Sequence, residues 1–384
     1  MQAESRKKIL VFIDWYLPGF RAGGPIRSCA NLVSRMESHF HFKIITGDTD
    51  LGASQPYAGI KSNDWNKLGG GEEVFYCKRT FLSHTSLDAL VRKESPDVIY
   101  LNSLFSQWYT LVPLIIAKRY GKAKVVVAPR GMLSPGALSI KPAKKKLFLT
   151  FAKTMRLFRN VTWHASTEVE VAEIRSVFGS GAHVIHAMNL TPLRNKMRTE
   201  RKKTPGTVNL VYIGRISEVK NPLQAIESLA LLPSDKKVSF DLYGPADNAE
   251  YLQRCEAAID KLPDNITARL MGPVENDKVP ELLSRAHFFY MLTFNENFGH
   301  AIVEAFSAGC PVIISNCTPW KQLEARKCGW DLNLSKPDAI QKALSAACQM
   351  DQQQYDEWSE AATAFGESVT KNDLHVTNTI KLFS

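Results

Sequence analysis

The sequence predicts a two-domain α/β fold, each domain a Rossmann-like parallel sheet flanked by helices, with the two sheets facing across a cleft. Three observations carry this. The chain has 384 residues, more than one hydrophobic core usually organises. Short apolar runs alternate with longer amphipathic ones along it, the signature of βαβ units. A basic, proline-containing stretch interrupts that alternation near the middle, and two α/β halves joined there would take up ligand at the carboxyl ends of their sheets.

The first apolar run, KILVFI from Lys8, reads as a buried strand. The basic residues before it are those of a signal peptide, but Asp14 interrupts the run and no small-residue cleavage site follows. Further strands are expected at FKIIT from Phe42, VFYC from Val74, DVIYL from Asp97, KVVVA from Lys124 and VTWHA from Val161. Helix-like stretches lie between them at Pro25 to Met36, Leu87 to Lys93, Tyr109 to Tyr120 and Ala143 to Phe158. These make an N-terminal domain over residues 1–190. The polar segment from Thr191 to Gly206 reads as an exposed linker. Alternation restarts with VNLVYIG, SFDLYG, ARLMG, FFYML and PVIIS, a C-terminal domain over residues 207–365. The remainder, 366–384, reads as a helix packing back on the N-terminal domain.

Composition narrows the function. Hydrophobic content of 45% and charged content of 22% are ordinary for a globular chain, and the apolar runs fall short of a membrane span. Seven cysteines without a C-x-x-C pair fit neither a disulfide framework nor a zinc site, so a reducing, cytoplasmic setting is expected. A net charge of +10 favours an anionic partner: a nucleotide, a phosphorylated lipid, a membrane surface or a nucleic acid. The absence of a recognition motif or aromatic series argues against nucleic acid.

Two segments carry chemistry. Gly214-Arg215 ends a strand and Lys220-Asn221-Pro222 opens a helix, placing two cations at a strand-to-helix turn suited to phosphate oxygens; the alternative is a pair of solvated loop charges. The stretch from Phe294 to Ala305 runs from the strand FFYML into a helix. There Gly299 permits close approach, and the N–H groups of Gly299, His300 and Ala301 would face a second anion. Glu296 and Glu304 could accept hydrogen bonds from vicinal hydroxyls, as an acidic residue does for ribose in dinucleotide sites. For Glu304 the alternative is an exposed helical residue, against its setting among Val303, Ala305 and Phe306.

Together these segments resemble the retaining glycosyltransferases of family 4, which have the GT-B fold and carry G-R-x(4)-K-N followed by E-x-F-G-x(4)-E-A. Here those are Gly214-Arg215 to Lys220-Asn221, and Glu296 to Glu304 continuing through Gly309, Pro311 and Val312. Ser307 stands where alanine is common. The resemblance implies a nucleotide-diphosphate sugar donor, UDP- or GDP-linked, with no obligatory cofactor. Arg215 and Lys220 would neutralise the diphosphate, Glu296 would hold the transferred sugar, and Glu304 would hold the ribose. The backbone of Gly299, His300 and Ala301 would cradle phosphate, and Tyr243-Gly244 with Gly272-Pro273-Val274 would line the base pocket. The acceptor would be a glycan or a lipid-linked sugar in surface polysaccharide assembly. A sugar-nucleotide epimerase and a non-catalytic nucleotide-sugar binder are the alternatives.

The N-terminal half matches more loosely. Gly23-Gly24-Pro25 either brings backbone N–H groups to the donor or makes a plain tight turn. Many relatives place a histidine near the strand end where this chain has Arg130, which either stabilises charge in catalysis or is structural; His164 and His300 are nearby candidates. Asp48-Thr49-Asp50 matches a metal-binding D-x-D but reads as a polar loop, so no metal is expected. Gly179-Ser180-Gly181 lacks the third glycine of a dinucleotide fingerprint. Lys141 to Arg159 interleaves cations with Leu147, Phe148, Phe151, Met155 and Leu157. It suits either the inner face of an anionic membrane, with the chain peripheral there, or an ordinary helix with its apolar face buried.

Overall fold

Leu10 and Phe12 enter the core on one face of the first strand, β1 (Lys8–Phe12), while Ile9 and Val11 enter the core on the other. That two-sided burial is the mark of a central parallel strand covered by helices on both faces. The computed structural model describes residues 6–192 and 200–384. Contacts divide the chain into one unit of residues 1–192 with 373–384 and another of 193–372.

In the first unit β1 is followed by α1 (Gly24–Met36), β2 (His41–Gly47), β3 (Trp65–Lys67), β4 (Glu73–Cys77), α2 (His84–Glu94), β5 (Val98–Leu101) and α3 (Val112–Tyr120). Then come β6 (Lys124–Val127), α4 (Pro135–Ser139), α5 (Pro142–Thr154), β7 (Thr162–Ala165), α6 (Glu168–Phe178) and β8 (Val184–His186). The sheet order is β3-β4-β2-β1-β5-β6-β7-β8, parallel except for the antiparallel β3. Every strand expected here from sequence is present. The three-residue strands β3 and β8 were not expected, because three residues are too few to show a period.

The second unit runs β9 (Thr207–Ile213), α7 (Pro222–Leu229), β10 (Lys237–Tyr243), α8 (Ala249–Ile259), β11 (Ile266–Gly272), α9 (Val279–Arg285), β12 (Phe288–Met291) and α10 (His300–Ser307). It ends with β13 (Val312–Ser315), β14 (Gly329–Leu332), α11 (Pro337–Gln349) and α12 (Gln352–Thr370). Its sheet is parallel throughout, in the order β11-β10-β9-β12-β13-β14. The central strands FFYM and VIIS are wholly buried, whereas the edge strand β11 alternates buried and exposed residues, as its position requires.

The last helix, α13 (Asp373–Phe383), belongs to the first unit. Phe383 is fully buried there, edge-on to Phe40 at 5.4 Å and to Tyr100 at 5.2 Å. A phenylalanine so placed contributes roughly 2–3 kcal/mol of burial, enough to hold a single helix in place.

Part of the segment expected as an exposed linker, 193–199, lies outside the described residues. In the rest, Lys202 is exposed but Arg201 and Lys203 are buried. Arg201 donates to the carbonyls of Leu283, Ala308 and Gly309, and Lys203 donates to those of Cys348 and Met350. Both satisfy carbonyls at or near helix C-termini, where positive charge is favoured. All seven cysteines are free. Among the described residues no helix is long and apolar enough to cross a membrane.

Candidate functional site

In the second unit β9 and β12 are neighbours, yet the chain leaves β9 toward β10 on one side and β12 toward β13 on the other. This is the 3-2-1-4-5-6 order, and the loops after the two central strands diverge at their carboxyl ends to leave a crevice. The sequence motifs fall on those two loops. Gly214 to Asn221 follows β9, and Leu292 to Gly299 follows β12.

The loops are laced together. Phe294 N–H donates to Val219 O at 2.8 Å, Thr293 Oγ1 donates to the same oxygen at 3.0 Å, and Asn221 Nδ2 donates to Leu292 O at 3.0 Å. Asn221 caps α7 from a left-handed conformation (φ 52°), which asparagine tolerates better than most residues. Lys220 Nζ completes the lacing with an ion pair to Glu296 Oε2, both side chains 17% exposed. One cation and one carboxylate of the motif pair are therefore brought together.

Arg215 faces elsewhere. Its Nη1 reaches the Asp247 carboxylate at 3.1 and 3.2 Å, and both side chains are more than a third exposed. The backbone there is tight: an added Cβ on Gly244 would lie 1.8 Å from Gly214 O, closer than any real contact. Gly214 N–H donates to Tyr243 O and Gly244 N–H to Gly272 O, so the ends of β9, β10 and β11 are drawn into one rim. Val274, half-buried, follows directly on that rim. Tyr212, fully buried, supports it by donating to Arg215 O at 2.6 Å, and burial raises its pKa well above the usual phenol value.

Across the crevice α10 begins at His300, capped by Gly299 in the left-handed region. Phe298 and His300 are buried and pack edge to face at 4.8 Å, while Trp320 Nε1 donates to Phe298 O at 2.7 Å. This fixes the first turn of α10, including Ala301, at the crevice mouth. Glu304 sits one turn on and is half-buried. Ser307 packs as the family's alanine would, because its hydroxyl is satisfied by Val303 O at 2.9 Å.

The first unit has its own reversal between β1 and β5. Just past β1, Asp14 is half-buried and accepts from Ser106 Oγ at 2.7 Å; burial raises its pKa. In sequence Asp14 only interrupts an apolar run, whereas the fold puts its carboxylate at the strand end where the order reverses. Gly23 caps α1 at φ 70°, ψ −125°, a conformation open to glycine alone, and Gly24 begins the helix. Nothing lies within 4 Å of the Cβ that Gly23 lacks, so its constraint is conformational rather than packing.

Arg130, at the end of β6, has φ 56° and is held on three sides. It donates to Tyr100 Oη at 2.8 Å, to Asn102 Oδ1 at 2.8 and 3.2 Å, and to Asn189 Oδ1. Behind it His164 is buried in β7, its Nε2 2.8 Å from Ala187 O and its Nδ1 2.6 Å from Tyr100 Oη. The carbonyl can only accept, so Nε2 carries the hydrogen and Nδ1 accepts from the tyrosine. Burial, then the Arg130 charge, lowers the His164 pKa to about 3. His164 is a neutral core residue, not a base. Asp48 and Asp50 are likewise occupied, accepting from Ser62 Oγ and from the Phe20, Arg21 and Leu51 amides.

Solved structures of like shape define the class. The Anabaena protein Alr3699/HepE in complex with UDP-glucose superposes with a TM-score of 0.70 over 98% of both chains at 15% identity. WaaG, a glycosyltransferase involved in lipopolysaccharide biosynthesis, does so with 0.66 over 98% of both at 13%. The fold is therefore that of the GT-B class. Residues 194–365 match the family of glycosyl transferases group 1.

Among curated relatives, D-inositol 3-phosphate glycosyltransferase of Pseudarthrobacter chlorophenolicus is 29% identical over 161 residues, covering 39% of this chain and 38% of the relative. O-antigen chain mannosyltransferase B of Escherichia coli is 27% identical over 161 residues, covering 42% and 41%. The chain thus spans about two-fifths of the length of these relatives.

Proposed function

We propose that the chain is a retaining glycosyltransferase that moves a sugar from a nucleotide-diphosphate donor to a glycan or lipid-linked acceptor in surface polysaccharide assembly. The observation that carries it is the Lys220–Glu296 ion pair between the loops after β9 and β12, with Arg215 on the first of those loops and the α10 N-terminus ending the second, at the crevice that the reversed strand order of the second unit creates. The group 1 family match over the same residues supports it, as do the UDP-glucose complex of Alr3699/HepE and the O-antigen role of the mannosyltransferase.

Cleavage of a sugar–phosphate bond builds negative charge on the departing diphosphate and positive charge on the ring. Fixed cations and oriented amides at the diphosphate then stabilise the transition state more than the ground state. Arg215 and Lys220 take the diphosphate with the Gly299, His300 and Ala301 backbone. Glu304 holds the ribose, and Glu296 holds hydroxyls of the transferred sugar. Gly244 and Val274 line the base, and Gly23 and Gly24 bring backbone to the donor. Arg130 serves through a fixed positive charge, since Tyr100, Asn102 and Asn189 prevent it from swinging as a mobile acid.

No cofactor is obligatory in this reading, and turnover persists in EDTA. The test is NMR of the product formed from UDP- or GDP-sugar with an acceptor. Retention of the donor's anomeric configuration is expected, and an inverted product overturns it. Conversion of the donor's sugar without any acceptor would favour an epimerase instead.

A further inference from the structure

No aspartate or glutamate occurs between Asp97 and Glu168, and the densest cluster of cations in that span is on and around α5. The inner side of α5 is well anchored. Ala152 is buried, Phe148 packs edge-on to Phe105 at 5.5 Å, and Lys145 lies 5.4 Å from the Phe105 ring while donating to Ala137 O.

Phe148 and Leu157 pack against the core, as the ordinary-helix alternative has it, but the outer side leaves its apolar residues uncovered. Leu147, Phe151 and Met155 are 73%, 57% and 63% exposed. Spaced by four, they form one stripe along the helix and its C-terminal turn. With Ile140 they make four of the eleven large apolar side chains left exposed among the described residues. Lys144, Lys146 and Lys153 are exposed on the same helix.

Directly after Met155 the chain enters a second feature. A cavity of 420 Å³ is lined by Lys118, Lys124, Arg156 and Arg159 with no acidic side chain. Lys118 donates to the neutral carbonyl Arg156 O at 3.1 Å, and Lys124 donates to Ser384 O at 2.8 Å. Burial and the neighbouring charges of Arg159 and Lys7 push these two lysines' pKa values down.

From these two features we infer that α5 docks the chain on an anionic phospholipid surface, with Leu147, Phe151 and Met155 entering the interface and the Lys118/Lys124/Arg156/Arg159 cavity taking a phosphate headgroup. An apolar stripe bordered by lysines suits a helix lying in the plane of the headgroups, and thirteen residues are too few to span. The ring of cations selects a lipid surface over an uncharged protein face. The inference is independent of the donor reading, since none of these residues lines that crevice.

The test is flotation of the full chain with vesicles of phosphatidylcholine alone or mixed with phosphatidylglycerol, at low and high salt. The wild type floats with the mixed vesicles at low salt and not with the neutral ones. Leu147→Ser with Phe151→Ser lowers the bound fraction about tenfold or more, as does Arg156→Glu with Arg159→Glu, while thermal melts show all variants folded. Flotation that is absent for the wild type, or unchanged in both folded variants, overturns the proposal. So does a wild-type dimer that the Leu147/Phe151 variant converts to monomer without any vesicle binding, since a second copy would then cover the stripe.

Discussion

The ammonium of Lys220 is paired with the carboxylate of Glu296, joining the loops after β9 and β12 at the point where the strand order reverses. In the proposed reaction the two groups have different clients, diphosphate for the lysine and sugar hydroxyls for the glutamate. The pair keeps each charge satisfied until a donor replaces it.

Glu296→Gln therefore separates binding from transfer. Without its carboxylate partner, Lys220 is more available to phosphate. Affinity for the free nucleoside diphosphate holds or rises, while kcat falls by about 100-fold or more, the usual scale for loss of a transition-state contact. Calorimetric titration with UDP and GDP beside a transfer assay reads both; weaker nucleotide binding with unchanged kcat would reverse the assignment.

Arg215 lies in a solvent-exposed pair with Asp247, so its removal costs little stability. Arg215→Ala should change stability by no more than about 1 kcal/mol yet weaken nucleoside diphosphate binding about tenfold or more, the scale of a charge-assisted hydrogen bond. A large drop in melting temperature with intact binding would make Arg215 a structural residue.

The backbone around Gly244 leaves no room for a side chain. Gly244→Ala must displace Gly214 O, and we expect a cost of roughly 3 kcal/mol or more. For a unit of this size that lowers the melting temperature by about 6–12 °C. A melt within a degree of wild type would show that the strand ends are looser than described.

His164 makes stability depend on acid. Its pKa is about 3 when folded against 6.5 for the free side chain, so between those values the unfolded chain binds the extra proton. Its contribution is full above pH 6.5 and is lost as pH falls toward 3, amounting to about 1.5 kcal/mol between pH 6.5 and 5. Glu173, raised to about 7 by burial and Glu170, opposes this by losing stability as pH rises from 4.5. The readout is thus the difference between wild type and His164→Gln in urea unfolding, which shrinks as pH falls. A constant difference would place His164 in water.

The α/β alternation and the two motif loops were legible because periodicity and strand-end glycines are local signals. Partnerships across the fold were not. Asp247 is 32 residues from Arg215, and nothing in its own surroundings marks it as a partner. Arg201 and Lys203 read as linker charges, since capping a carbonyl on a distant helix leaves no trace beside the cation. The outward stripe of α5 was ambiguous for a related reason. Spacing shows that apolar residues share a face, but only packing shows whether a neighbour covers it.

The central claim is tested most directly by the melting temperature of the wild type, Arg215→Ala and Glu304→Ala with UDP-, GDP- and ADP-sugars. We expect at least one nucleotide sugar to raise the wild-type melt by several degrees, with the shift lost or reduced in both variants. If no nucleotide sugar stabilises the wild type, the crevice between the β9 and β12 loops is not a donor site.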